Sequence, residues 1–238
     1  MNIKSSLMVL SVTAILVSAA SIRAQVSTPS IQSFEQWCQQ KDTLPAETKK
    51  TVEVLLEKAG TEDCKAADLQ LNSLTELSLN SNQISDVQPL ASLTNLTLLS
   101  LGSSRIRSNQ IRDVQPLASL TKLTSLYLGR NQISDVQPLA SLTKLTSLYL
   151  GRNQISDVNP LASLTNLTNL FLNSNQISDI KPLASLTNLT FLDLSGNQIS
   201  DLKPLTSLTS LTQLYLRNNA TLTNRICPVR PRESICRF

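Results

Sequence analysis

The stretch "LTSLYLGRNQISD" at 123–135 returns unchanged at 145–157. The wider blocks 119–140 and 141–162 differ only at Gln137 against Asn159. Aligned on one asparagine, related copies fall at Asn82, Asn109, Asn131, Asn153, Asn175, Asn197 and Asn219. The step is 22 residues except between Asn82 and Asn109, where it is 27. Units this short cannot each enclose a core, so they must stack and share one.

The copy at 142–163 shows how one unit folds. Its apolar positions are Leu142, Leu145, Leu148, Leu150, Ile155, Val158 and Leu161. Leu148 and Leu150 alternate with polar neighbours, which predicts a short strand. Asn153 ends it, because an asparagine side chain can satisfy main-chain groups at a bend. Pro160 blocks a long helix, so the return path is predicted to be turns and short 3₁₀ pieces. Strands of successive coils then lie parallel, about 4.8 Å apart.

The pattern L-x-x-L-x-L-x-x-N-x-I resembles the leucine-rich repeat signature. "NQISDVQPLASLTNL" at 82–96 is similar to the 22-residue repeat of internalins, which are bacterial surface proteins. The resemblance covers about 69–222, and the chain as a whole is similar to small secreted leucine-rich repeat proteins of cyanobacterial type. It departs from the anchored internalins in showing no immunoglobulin-like module after the repeats and no cell-wall sorting signal. The fold implied is an α/β repeat, a leucine-rich repeat solenoid with a parallel concave sheet.

The ends are expected to carry caps, since terminal coils would expose their leucines. "SFEQWCQQ" (33–40) and "PAETKKTVEVLLEKA" (45–59) before Gly60 read as helices, with a third over Thr61–Leu69. Trp37 is expected to pack there. The organisation reads as a secretory leader over 1–24, a helical N-terminal cap over 25–68, seven repeats over 69–222, and a C-terminal cap over 223–238. The leader rests on Lys4, the apolar run 7–20 and Ala24 at the cleavage point. That run is short for a membrane span, so a secreted, periplasmic or cell-envelope monomer is expected. Four cysteines in an oxidising compartment allow three pairings. The local one, Cys38–Cys64 and Cys227–Cys236, is expected because the array would hold its ends apart. A metal site is the alternative, weakened by the missing C-x-x-C spacing and by the absence of histidine.

The residue between the two strand leucines points away from the core. This column reads Ser78, Ser100, Tyr127, Tyr149, Phe171, Asp193, Tyr215. The column two residues earlier reads Glu76, Leu98, Ser125, Ser147, Asn169, Phe191, Gln213. All three tyrosines and two of the four phenylalanines therefore fall on one outward face. Contiguous exposed aromatics mark interaction surfaces; the other reading is cross-strand stabilisation of the sheet. Tyr127, Tyr149, Phe171, Phe191 and Tyr215 are the expected anchors for a protein or peptide ligand. Arg130, Arg152 and Asp193 would tune charge, although the arginines also read as solvated surface charges. A cell-surface polysaccharide and a self-assembling envelope protein are the competing readings. The insertion Ser104–Ser108 leaves open whether Ile106 or Ile111 fills the isoleucine slot.

Other classes fall away. The net charge is +4, and +2 once the leader's Lys4 and Arg23 are removed, too little and too scattered for nucleic acid. The chain has no histidine, no phosphate loop and no G-x-S-x-G. Glu76 and Asp193 stand five strands apart, about 24 Å, too far for joint acid–base work. No enzyme, cofactor or metal is therefore expected. The aspartates at 86, 113, 135, 157, 179 and 201 suggest a cation ladder, but capping of the following turn explains them more simply.

Overall fold

A computed structural model describes residues 31–102, 108–223, 226–229 and 235–238. Each coil opens with a three-residue strand: β1 (Glu76–Ser78), β2 (Leu98–Ser100), β3 (Ser125–Tyr127), β4 (Ser147–Tyr149), β5 (Asn169–Phe171), β6 (Phe191–Asp193) and β7 (Gln213–Tyr215). All pair in parallel and in sequence order. Leu142, Leu145, Leu148, Leu150, Ile155, Val158 and Leu161 are all buried, as are their counterparts along the array apart from the half-buried Leu74 of the first coil. The return path is a 3₁₀ turn carrying proline near its start, as at Asn159–Ser163 and Lys181–Ser185. Proline fits there because its missing N–H has no partner to lose.

Side-chain ladders join each coil to the last. Asn131 accepts the Ile111 N–H at Oδ1 and donates Nδ2 to the carbonyls of Leu101 and Leu128. Asn153, Asn175, Asn197 and Asn219 repeat this arrangement. Thr97, Thr124, Thr146, Thr168, Thr190 and Thr212 each donate a hydroxyl to the threonine carbonyl one coil below, the first of them to Thr75. Ser119, Ser141, Ser163, Ser185 and Ser207 do the same toward an alanine carbonyl. The six column aspartates each accept the N–H two residues on, at 2.7–2.9 Å, and so cap the 3₁₀ turn. That is the capping role inferred from sequence.

The helices are α1 (Phe34–Gln39), α2 (Ala46–Ala59) and α3 (Cys64–Ser73). Ser33 and Gln36 form a capping box on α1, and Gly60 ends α2 in the left-handed region at φ 67°. The third helix starts later than expected and runs four residues further. Asp63 caps it by accepting the Ala66 N–H, which sets its true start. Phe34, Leu55, Leu56 and Leu71 are buried over the first coil, with Trp37 half-buried against them. Thr48 and Thr51 on α2 donate to the side chain and carbonyl of Asp86, docking the cap. Cys38 is bonded to Cys64 and Cys227 to Cys236, the local pairing.

One expectation needs adjustment, and one open register is settled. The C-terminal tail, read as a closing loop, adds an eighth parallel strand, β8 (Cys236–Arg237), on β7. In the 27-residue copy, Ile111 fills the isoleucine slot: it is buried, and its N–H donates to Asn131. Ile106 and the rest of 103–107 lie outside the described residues, as does the leader expected over 1–24.

Ser92 is the first member of the serine column, and beneath it lies the cap rather than a coil. Its buried hydroxyl oxygen is without a hydrogen-bond partner. Ser92→Ala should therefore raise the unfolding free energy in urea by about 1 kcal/mol. A loss of stability would refute this account of the first rung.

Candidate functional site

Strand register brings the outward columns together. Tyr127 pairs with Tyr149, Tyr149 with Phe171, Phe171 with Asp193, and Asp193 with Tyr215. The rings form one row. Centroids stand 4.2 Å apart for Tyr127–Tyr149, 4.3 Å for Tyr149–Phe171 and 4.4 Å for Phe171–Phe191, with interplanar angles of 13–27°. Phe191 then meets Tyr215 at 5.4 Å, tilted by 33°. The row thus switches columns at Phe191, which replaces the ring that Asp193 lacks. All five rings are half-buried, largely against one another. Burial raises the Tyr149 phenol above its ordinary pKa, with the neighbouring Tyr127 adding to the shift.

Such a row exposes ring edges more than faces. Tyr149 and Phe171 each have both faces covered by neighbouring rings. The edge is the electropositive part of an aromatic ring. Near the far end, Asp193 accepts the Ser195 N–H at 2.9 Å, and the Tyr215 hydroxyl donates to Gln213 at 3.2 Å.

Beside the row, at the strand exits, runs an open groove of about 510 Å³. Its walls include Asn80, Ser100, Tyr127, Tyr149, Arg130 and Arg152, and its floor follows Gly102, Gly129 and Gly151. No acidic side chain is among its described lining. Sequence reasoning located the rings and the arginines but missed the glycines. The signal was present: the position after the second strand leucine reads Asn80, Gly102, Gly129, Gly151, Asn173, Ser195, Arg217.

Backbone angles make this column unexpected. The left-handed residue after this column is Ser81 (φ 60°), Arg130 (φ 57°), Arg152 (φ 61°), Ser174 (φ 58°), Gly196 (φ 70°) or Asn218 (φ 58°), whereas Gly129 and Gly151 are outside that region. In the coils of Arg130 and Arg152 glycine is thus absent where the conformation favours it and present one residue earlier, where it does not. An L-residue in the left-handed region costs about 1–2 kcal/mol, and glycine in a strand-like segment about 0.5–1 kcal/mol. Stability does not explain the placement. Space does at Gly151, where a Cβ would meet the Asn173 side chain at 2.3 Å, but not at Gly129, where it would meet only the Gly151 carbonyl at 3.4 Å.

Among the described residues no cluster of three or more His, Cys, Asp or Glu side chains could hold a metal ion. Among them, too, no helix is long and apolar enough to cross a membrane.

A family model described as leucine-rich repeats (two copies) matches residues 72–108, 105–141, 143–185 and 187–227. Among solved structures, internalin C2 (inlC2) of Listeria monocytogenes is 30% identical with a TM-score of 0.63, covering 78% of this chain and 89% of its own. An internalin (inlF) of the same organism is 41% identical with a TM-score of 0.59, covering 66% of this chain. The present chain spans 48% of that second protein's length, about half. No curated protein matches the chain. The fold is that of a protein-interaction module. Its repeat signature, ladders, sheet and relatives together make this chain a member of the leucine-rich repeat family, of the bacterial internalin type.

Proposed function

We propose that the solenoid binds a protein or peptide on the outward, concave face of its sheet, without catalysing a reaction. The observation that carries this reading is the single row of five rings, drawn from five consecutive coils, on the face the leucine core does not use. Rigid aromatic anchors bind with little ordering cost. Tyr127, Tyr149, Phe171, Phe191 and Tyr215 act as anchors, with Arg130, Arg152 and Asp193 setting charge complementarity. A polysaccharide fits less well, because a sugar ring needs an uncovered aromatic face, and the central rings offer edges. Two disulfides, the internalin relatives and the leader expected at 1–24 support a place outside the cytoplasm.

The test is capture from the native organism's envelope and medium with residues 25–238, beside a Tyr127→Ser/Tyr149→Ser/Phe171→Ser variant. Circular dichroism and melting establish that both are folded. The partner captured by the parent should bind the variant about a hundredfold more weakly, or worse. Equal binding would move the site off the ring row and leave the rings a purely stabilising role.

A further inference from the structure

We propose that the groove over Gly102, Gly129 and Gly151 seats an extended acidic peptide segment, its carboxylates paired with Arg130 and Arg152. The inference rests on the sheet-face reading above and names the chemistry of its ligand.

The floor is the first argument. Asn80 and Asn173 put side chains on this column at either end of the groove. Over the three coils between them, the column is bare main chain. Gly102 to Gly151 spans two coil steps, about 10 Å, room for roughly three extended residues at 3.3 Å each. Bare main chain lets another backbone approach closely, which is a recurrent reason for glycine outside turns. At Gly129, φ does not require glycine and an added Cβ would come no nearer to the chain than 3.4 Å, at the Gly151 carbonyl, so close approach of another backbone accounts for its presence.

Charge is the second argument. Two arginines, Arg130 and Arg152, and no acidic residue are among the described lining of the groove. Arginine forms two-point hydrogen bonds with carboxylates that lysine cannot reproduce. The third argument comes from the rings. Their faces are turned to one another, so the wall beside the arginines is made of electropositive edges. Edges attract oxygen atoms, whereas cations need faces. Floor, charge and wall therefore all select a ligand rich in carboxylate and carbonyl oxygen. Main-chain carbonyls on a flat glycine floor fit a peptide better than a bulky acidic sugar.

The experiment uses residues 25–238 and a fluorescein-labelled (Glu-Ser)₅ peptide, read by fluorescence anisotropy. Its comparators are (Gln-Ser)₅ and an unlabelled oligogalacturonate competitor. The acidic peptide should bind about tenfold tighter than the glutamine peptide, and less tightly as salt rises. Arg130→Gln/Arg152→Gln should abolish that difference. Lys144→Gln/Lys203→Gln removes the same charge away from the groove and should leave it intact. Gly129→Asn, which installs the residue this column carries at Asn80 and Asn173 and whose Cβ would meet the chain no closer than 3.4 Å, should weaken binding about tenfold with the charge unchanged. No binding, equal affinity for both peptides, equal losses in the arginine and lysine variants, or undiminished binding by the asparagine variant would each overturn the proposal. Tighter, groove-dependent binding of the oligogalacturonate would replace it with an acidic glycan. A native partner lost by the ring variant yet held by both groove variants would leave the sheet-face reading standing and remove this inference alone.

Discussion

Asn175→Ala should lower the unfolding free energy by about 3 kcal/mol or more, while Asn82→Ala costs less than about 1 kcal/mol. The two residues hold the same place in the same local sequence, S-N-Q-I-S-D, so intrinsic propensity is matched. What differs is the coil beneath. Asn175 is buried. It accepts the Ile155 N–H at 3.1 Å and donates to the carbonyls of Leu150 at 3.1 Å and Leu172 at 3.0 Å. Truncation strands one donor and two acceptors inside the core, each a desolvated group without a partner. Asn82 stands at the start of the array, half-exposed, and its amide donates to the Asn80 carbonyl at 3.1 Å. Urea unfolding of the two variants side by side makes the measurement. Equal losses would mean that the asparagine acts through its own turn and not through the stack.

The Cys38→Ala/Cys64→Ala variant should be less stable than the parent by about 3 kcal/mol. That bridge joins α1 to α3 across 26 residues, and its main effect is to restrict the unfolded chain. It also fixes the two helices against each other over Phe34 and Leu71, the buried residues that cover the first coil. Cys227–Cys236 closes only 9 residues and should contribute less, about 2–3 kcal/mol. Its loss should act locally, freeing β8 and the Leu216 N–H, which donates to the Arg237 carbonyl at 2.8 Å. Thermal unfolding with and without reductant decides the matter. Reductant should destabilise the parent more than it does a variant already lacking the first bridge. An unchanged melting temperature in the Cys38/Cys64 variant would show that helix packing alone holds the cap.

Most of this architecture can be read from the chain because the repeat turns one local rule into seven. Leu148 and Leu150 mark a strand; Asn153 marks a bend; Pro160 marks a 3₁₀ turn; each reading gains force from its copies. The outward columns follow from the alternation of a strand, so the ring row was legible before any coordinate, including the diagonal step to Phe191. Apart from the groove, what escaped lies where the repeat lapses. "ICRF" at 235–238 has no strand pattern of its own. It becomes β8 because the open edge of β7 offers unpaired main-chain groups, a tertiary cause invisible in four residues. The start of α3 depended on whether Thr61 or Asp63 would act as cap, and both are plausible by type. The slot taken by Ile111 rather than Ile106 is settled by Asn131, which receives its N–H. The groove was missed because glycine next to arginine suggests a turn glycine, and the backbone assigns the positive φ to the arginine.

The in-register pairing of β3 with β4 has a consequence for how such a molecule changes size. Blocks 119–140 and 141–162 are nearly the same text, and each hands its neighbour the partners that it received itself. Splicing in another such block would leave no donor without an acceptor and no leucine without a leucine above it. Each splice would also lengthen the outer face by one tyrosine and one arginine at an unchanged spacing. Length and recognition are therefore inherited together: a single duplication in the coding DNA extends the scaffold and the surface it displays in the same step.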